Sequence, residues 1–375
     1  MAEAIRQQFD AALARHQQGR IEEAAAGYRR ILQAEPSHAE ALHMLGVIRM
    51  QQGNPGAAEE LIGEALRINP AAAAAHNNLG NALLALGRGS DAIPHYEKAL
   101  AIHPRFVEAH FNLGRTWQAL GRHAAAAASY ARVIALRPRF AEAHNNLGNA
   151  LQALGRFDEA AAALRQAVAI APGLAQAHNN LGVVLQALRR HAEAISHHER
   201  SLAIQPGNAE ALNNLGNALR ALDRHQEALA RFEAALAVNP DHAEIHVNAG
   251  SAYLALDRPE AALTAFDAAL AIKPDYAEAL YNRGIALQAL KREPEAVAPY
   301  EAALAIRPDY AEAHNNLGNV FLELGQLEAA GVHYDKALAL KPDFPEALAN
   351  RGTVLRGLGR IEEACLAFAR AAELA

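Results

Sequence analysis

Apolar residues recur at helical spacing throughout the chain, in short segments separated by turn residues. In residues 141–174, Leu147, Leu151 and Leu154 lie three or four positions apart and predict one amphipathic helix. Gly155 then interrupts the pattern. A second apolar stripe follows and stops at Pro172, which cannot continue a helix because it has no amide hydrogen. The segment is therefore predicted to fold as a helix, a tight turn and a second helix.

The same pattern returns every 34 residues along the sequence. The octapeptide at His76–Leu83 recurs unchanged at His144–Leu151. Prolines keep the step without an insertion, at Pro36, Pro70, Pro104, Pro138, Pro172, Pro206, Pro240, Pro274, Pro308 and Pro342. A fixed period of this length indicates a repeat architecture. We therefore expect residues 1–375 to form a single domain of about eleven units, starting at residues 5, 39, 73, 107, 141, 175, 209, 243, 277, 311 and 345.

Small residues and helix caps are expected to fix how the two helices of a unit meet. Glycine in mid-helix costs about 1 kcal/mol relative to alanine, so Gly80 indicates a close approach of the paired helix. Ala92 is expected to face this glycine, with aromatic residues such as Tyr96 filling the gap between neighbouring units. Four polar residues stand three positions before a glutamate and predict capping boxes: Ser37, Asp241, Asp275 and Asp309.

Composition narrows the class of protein and its compartment. Apolar residues make up 51% of the chain and aromatic ones 5%, which suits close-packed helices better than sheets. A formal charge of −6 argues against a nucleic-acid partner, which would favour a basic surface. Cys365 is the single cysteine, so a reducing compartment fits better than an oxidising one. Because no signal peptide and no membrane-spanning apolar run are evident, the expected location is cytoplasmic.

The residues that recur in each unit resemble the consensus of the tetratricopeptide repeat, a family of 34-residue helical hairpins. In the unit at 141–174 the matching residues are Leu147, Gly148, Leu151, Ala160, Leu164, Ala167 and Pro172. The resemblance covers residues 5–375. It implies an all-α fold, a right-handed superhelical solenoid of helix-turn-helix units, in which the first helix of each unit lines a concave groove.

Asparagines occupy one face of the first helix in most units. The sixth position of nine successive units is filled by Asn78, Asn112, Asn146, Asn180, Asn214, Asn248, Asn282, Asn316 and Asn350. Three residues later, on the same helical face, stand Asn81, Asn149, Asn217 and Asn319. Asparagine is a poor helix former, so helix stability does not explain this register. A carboxamide matches the donor and acceptor of a peptide bond, and these residues are predicted to bind an extended polypeptide by its backbone.

Two interpretations of the asparagines remain open, since they could instead bond to the backbone of a neighbouring unit and stiffen the solenoid. The stripe also resembles the tetratricopeptide region of the O-GlcNAc transferases, where asparagines line the superhelix and hold substrate polypeptide. A carboxylate clamp, another ligand mode of the family, is not expected. Glu108, Glu142 and Glu210 stand where such a clamp needs basic residues.

The predicted function is a non-catalytic protein–protein interaction scaffold that takes a protein or extended peptide as its partner. No catalytic residue, cofactor or metal site is predicted, because the histidines of successive units, such as His76 and His110, are too far apart to share an ion. One alternative is the substrate-recognition region of an O-GlcNAc-type glycosyltransferase whose catalytic domain is absent from this chain. A second is a self-assembling structural scaffold. Self-association is expected through the C-terminal end, because no following unit covers Leu366 and Leu374.

Overall fold

The computed structural model describes residues 2–374 as α-helices joined by short turns. Within those residues there are 22 helices and no β-strand, which confirms the predicted all-α fold. From Ala39 onward, the first helix of each hairpin begins at the residue where the 34-residue period places the start of a unit. The first helix of the chain differs, because it begins at Ala2 rather than at residue 5.

The chain divides into two compact units, Met1–Leu188 and Arg189–Ala375. The first unit contains α1 (Ala2–Gln17), α2 (Ile21–Ala34), α3 (Ala39–Gln51), α4 (Pro55–Ile68), α5 (Ala73–Ala85), α6 (Gly89–Ile102), α7 (Val107–Ala119), α8 (His123–Leu136), α9 (Ala141–Ala153), α10 (Phe157–Ile170) and α11 (Ala175–Ala187). From α1 to α10, each odd-numbered helix pairs with the helix that follows it, and the hairpins pack in the order of the sequence.

The second unit repeats this arrangement. It contains α12 (His191–Ile204), α13 (Ala209–Arg220), α14 (His225–Val238), α15 (Ala243–Ala255), α16 (Pro259–Ile272), α17 (Ala277–Ala289), α18 (Glu293–Ile306), α19 (Ala311–Glu323), α20 (Leu327–Leu340), α21 (Pro345–Gly357) and α22 (Ile361–Leu374). The hairpins from α13 to α22 again pack in sequence order. That residues 1–375 form one continuous domain stays a prediction.

A large side chain of the second helix lies against the mid-helix glycine of the first helix. A Cβ built on Gly80 would stand 2.6 Å from Tyr96 Cε1, and one built on Gly148 would stand 2.5 Å from Leu164 Cγ. Tyr96 and Leu164 are fully buried. The atoms nearest to a Cβ on Gly80 belong to a ring of the same hairpin, and the expectation that Ala92 faces this glycine stays a prediction. The glycine is needed for close approach, as the sequence indicated, but its neighbour is a large side chain.

The turn between the two helices of a hairpin contains a residue in the left-handed conformation. Gly155 has a φ of 72°, and next to it the Arg156 N–H donates to the Leu151 carbonyl at 2.9 Å. Glycine is common at this place because it has no Cβ to clash with the backbone. Asp257 and Lys291 hold the same conformation, with φ of 54° and 59°, although both carry a side chain.

The predicted capping boxes are not formed. Helix α15 begins at Ala243, so its N-cap is His242 and Asp241 lies one residue too early to cap the first turn. Ser37 is displaced in the same way; His38 is the N-cap of α3, and its Nδ1 accepts from the Ala41 N–H at 3.2 Å. The aspartates at 275 and 309 likewise precede N-cap residues that make no side-chain cap hydrogen bond. The turn after the preceding proline is in each case one residue longer than the sequence suggested, so the next helix begins one residue later.

Candidate functional site

The candidate site is the asparagine face, formed by the thirteen asparagines at the sixth and ninth positions of the 34-residue repeats. These residues lie on the odd-numbered helices from α5 to α21, which all begin at the first position of a 34-residue repeat. Their side chains are half-buried, except that of Asn248, which is 8% exposed. The fifth-position residues Asn77, Asn145, Asn179, Asn213 and Asn315, which precede several of them, are buried. The face therefore presents partly accessible amides above a buried row.

In the first compact unit, which ends at Leu188, sixth-position asparagines bond to the buried row of the preceding 34-residue repeat. Asn112 Nδ2 donates to Asn77 Oδ1 at 3.1 Å, and Asn180 Nδ2 donates to Asn145 Oδ1 at 2.9 Å. In both bonds the residues are 35 positions apart. Since the repeat length is 34, each bond joins the sixth position of one repeat to the fifth position of the one before.

In the second compact unit, sixth-position asparagines likewise donate to the fifth position of the preceding repeat. Asn248 Nδ2 donates to Asn213 Oδ1 at 3.0 Å, and Asn350 Nδ2 donates to Asn315 Oδ1 at 3.2 Å. Asn350 also donates to Asn319 Oδ1 at 2.9 Å, so the ninth position takes part as well. The open interpretation that the asparagines bond across the repeat interface is thus supported, with one correction. Their partners here are side chains and not the backbone.

Other residues with a hydrogen-bond acceptor replace asparagine at the fifth position. Asn316 Nδ2 donates to the Tyr281 hydroxyl at 3.1 Å, and Asn78 Nδ2 lies 2.9 Å from His43 Nε2. Burial lowers the pKa of His43, which favours the neutral ring that can accept from Asn78. The sequence analysis did not predict that the fifth position accepts a hydrogen bond. The pattern that could have indicated it is a residue with an acceptor 35 positions before each such asparagine.

Bonds within a repeat set the orientation of the amides. Asn77 Nδ2 donates to Asn78 Oδ1 at 3.2 Å, and Asn145 Nδ2 donates to Asn146 Oδ1 at 3.2 Å. The Asn78 amide accepts one bond and donates another, which leaves one N–H and one acceptor site without a role in these contacts. The side chains are therefore held in place with hydrogen-bonding capacity to spare.

Two sixth-position asparagines depart from the rule because an apolar residue stands 35 positions before them. Phe111 takes that place for Asn146, and Val247 takes it for Asn282. Asn146 lies near the Tyr130 hydroxyl of the preceding repeat and favours a lower pKa of that phenol. The side chain of Asn282 makes no hydrogen bond within residues 2–374, and it is half-buried.

The ninth-position asparagines lie above the second helix of their own hairpin. The Tyr96 hydroxyl donates to Asn81 Oδ1 at 2.9 Å, and that of Tyr334 donates to Asn319 Oδ1 at 2.7 Å. Burial raises the pKa of Tyr96 to about 12, so the phenol remains protonated and can donate. Phe232 has no hydroxyl, and the buried Oδ1 of Asn217 opposite it finds no partner within the described chain.

Metal-ligand clusters and membrane-spanning helices were considered for residues 2–374. No group of three or more His, Cys, Asp or Glu side chains there is arranged to hold a metal ion. None of the helices in the same residues is long and apolar enough to cross a bilayer.

An all-α array of 34-residue hairpins with a polar face on the first helices defines the class of helical-repeat proteins. A family model described as Tetratricopeptide repeat matches residues 9–73, 43–105, 77–139, 111–175 and 213–277, which is more than half of the chain. A second model with that description matches residues 173–241, and one described as TPR repeat matches 292–325 and 318–359. The chain belongs to the tetratricopeptide repeat family, whose members generally serve as protein-interaction scaffolds and are typically non-catalytic.

Two solved structures show the same fold, and a third is also similar to part of the chain. A tetratricopeptide repeat protein from Parabacteroides merdae ATCC 43184 is 19% identical with a TM-score of 0.52, over 68% of this chain and 98% of that one. The structure of Pseudomonas aeruginosa pilF is 23% identical with a TM-score of 0.50, over 55% and 94%. YrrB, described as a TPR protein with an unusual peptide-binding site, is 24% identical with a TM-score of 0.43, over 50% and 97%. No match was found among curated proteins.

Proposed function

We propose that the protein is a non-catalytic scaffold that binds extended polypeptide through the asparagine face. The family is one of interaction scaffolds, and the face offers amides that match the C=O and N–H of a peptide bond. The bonds among the asparagines do not oppose this function. They hold the amides in fixed orientations, and a site whose groups are already ordered loses less conformational entropy when a ligand binds.

The observation that carries the proposal is the Asn282 side chain. Other sixth-position asparagines, such as Asn112, donate to an acceptor in the preceding repeat, but Val247 offers Asn282 none. Asparagine is less favourable than alanine in a helix by up to about 0.7 kcal/mol, so neither helix stability nor internal bonding explains the residue. A half-buried amide that is free to donate and accept is suited to a ligand.

Recognition of the backbone can be separated from recognition of side chains. A displayed library of 15-residue peptides is selected on the full chain, and the affinity of the selected peptide is measured by titration. A scrambled version should bind with similar affinity, whereas a version with N-methylated backbone amides should bind at least tenfold more weakly, because methylation removes the N–H donors. If scrambling abolishes binding and N-methylation does not, the protein recognises the side chains of the peptide and the proposal is wrong.

The same face would also serve the substrate-recognition region of an O-GlcNAc-type glycosyltransferase, because that role needs the same grip on polypeptide backbone. The two functions differ in whether the same polypeptide also carries a transferase domain. A chain that binds peptide tightly with no transferase domain acts as a scaffold alone, while a transferase domain on the same polypeptide would make the asparagine face its substrate arm. Sequencing the complete gene distinguishes them.

Self-association is a second candidate function, favoured by apolar side chains on α22. Leu366 is 71% exposed and Ile361 is 56% exposed. An exposed apolar patch often marks an interface, and here a second copy of the chain is the partner that we propose. Sedimentation velocity should show a concentration-dependent dimer that Leu366→Lys abolishes. A chain that stays monomeric at about 100 μM, well above the micromolar range of weak interfaces, would rule this out.

A further inference from the structure

Two grooves carry the same side chains, although they lie 238 residues apart in the sequence. The second-unit groove, of about 630 Å³, includes Leu304, Pro308, His314, Leu317, His333 and Lys336. The first-unit groove, of about 370 Å³, includes the equivalent Leu66, Pro70, His76, Leu79, His95 and Lys98. Each is formed by the second helices of two consecutive hairpins, with the first helix of the later hairpin between them. His314 and Asn316 are two residues apart on α19, so they point to opposite sides of the helix.

Hydrogen bonds fix the tautomers of the histidine pair in the first-unit groove. His76 Nε2 lies 3.0 Å from the Pro70 carbonyl oxygen, and since a carbonyl only accepts, the imidazole carries its proton on Nε2. His76 Nδ1 is therefore an acceptor. It lies 3.3 Å from His95 Nδ1, which must be the donor. The Nε2 atom of His95 is consequently left as an acceptor.

The second-unit groove reproduces this arrangement. His314 Nδ1 lies 3.1 Å from His333 Nδ1. By analogy with the first-unit groove, we assign His333 as the donor within the pair, which leaves its Nε2 as an acceptor. Burial, with smaller effects from His314 and Lys336, lowers the pKa of His333 to about 4 and keeps the ring neutral.

A lysine supplies the positive charge in each groove. Lys98 lies close enough to His76 and His95 to disfavour their protonation, and Lys336 acts in the same way on His314 and His333. Neither ammonium group forms an ion pair with a carboxylate in the described part of the chain. Each groove thus combines a lysine ammonium group, an imidazole acceptor and an aliphatic wall.

We propose that both grooves bind the C-terminal leucine of a polypeptide. Such a residue carries a carboxylate for the lysine, an N–H for the free imidazole nitrogen and an aliphatic side chain for the leucine wall, so the three features of the groove are matched by adjacent groups of one ligand. Glu301 lines the second-unit groove where Gly63 stands in the first, and Arg67 stands where the second has Ala305. The two grooves therefore differ in charge beside the lysine, and Asp91 and Glu59 also act on His95 of the first-unit groove.

The test uses the full chain and two probes, acetyl-Ala-Ala-Leu as the free acid and the same peptide as its C-terminal amide. Binding is followed by NMR through the ring proton resonances of His95 and His333, assigned with His95→Gln and His333→Gln. The acid should shift both resonances, and the amide should bind at least tenfold more weakly. Lys98→Met should abolish the response of His95 alone, and Lys336→Met that of His333 alone.

Lys273→Met is the matched control, because it removes a surface lysine outside both grooves and should leave both responses unchanged. Glu301→Gln should strengthen binding at His333 and leave His95 unaffected. Equal binding of acid and amide would show that only the apolar wall is used and would overturn the proposal. So would an absence of any shift at millimolar acid, or unchanged binding in the double variant Lys98→Met with Lys336→Met.

Discussion

Asn248 donates to Asn213 Oδ1 at 3.0 Å across two consecutive repeats, and both side chains are only 8% exposed. The bond therefore replaces water at two buried amides. Removing one partner would leave the other unsatisfied, at a cost of about 1–3 kcal/mol. Neighbouring repeats are joined by this polar contact as well as by apolar packing, so a residue on the candidate binding face can also support the fold.

The contact between Gly80 and Tyr96 predicts opposite outcomes for two glycine substitutions. Gly80→Ala places a Cβ 2.6 Å from the Tyr96 ring, and overpacking of this kind costs about 1–3 kcal/mol. Gly63→Ala, also within a helix, meets nothing within 4 Å and should stabilise by about 0.5–1 kcal/mol through helix propensity. Thermal unfolding followed by circular dichroism measures both. Equal shifts in the two variants would contradict the packing described here.

The unpaired oxygen of Asn217 predicts a stabilising substitution. Phe232→Tyr places a hydroxyl where Tyr96 has the one that bonds Asn81, and should stabilise by about 1 kcal/mol. The reverse change, Tyr96→Phe, should destabilise by about the same amount because it leaves Asn81 Oδ1 unpaired. Midpoints of thermal unfolding test the pair of variants, and a destabilising Phe232→Tyr would show that the site has no room for the hydroxyl.

Left-handed turn residues predict a gain from glycine. Lys291→Gly removes a Cβ that is unfavourable at a φ of 59°, at about 1–2 kcal/mol, and should raise the thermal midpoint. Asp257→Gly should gain less, because aspartate tolerates this conformation better than lysine does. Gly155→Ala, at a φ of 72°, is the control in the opposite direction and should lower the midpoint. A fall in the midpoint of Lys291→Gly would refute the argument.

Acidification should destabilise the protein between pH 6.5 and about 4. Burial lowers the pKa of His198 and of His333 to about 4, whereas an unfolded chain titrates histidine near 6.5. The unfolded state binds more protons in this interval, so stability is full above pH 6.5 and falls as the pH drops. Thermal midpoints at pH 7.5 and 5.0 should differ less in His333→Gln than in wild type, while exposed His103→Gln keeps the wild-type difference. An unchanged difference in His333→Gln would contradict the assignment.

The sequence predicted the helices and the repeat well, because a period of 34 residues identifies equivalent positions directly. It did not predict which positions touch. The ring of Tyr96 lies 16 residues after Gly80, and Asn77 bonds a residue 35 positions later, so neither contact joins equivalent positions. Such pairs depend on how two helices are offset in space. The predicted capping box also placed the start of α15 one residue too early, because the turn after Pro240 makes His242 the N-cap residue.

The asparagine face is proposed to bind polypeptide, and two matched substitutions test this function. Asn282→Ala removes an amide with no internal partner, while Asn248→Ala removes one that bonds Asn213. Both leave the neighbouring backbone intact, and alanine favours the helix in each case.

The decisive measurement is the affinity of Asn282→Ala for a peptide selected on the wild-type chain, with its thermal midpoint recorded in parallel. We expect about a 2- to 10-fold loss of affinity, which corresponds to a net hydrogen bond, with no fall in the midpoint. Asn248→Ala should lower the midpoint. If Asn282→Ala binds the peptide as tightly as wild type does, the asparagine face is not the binding site.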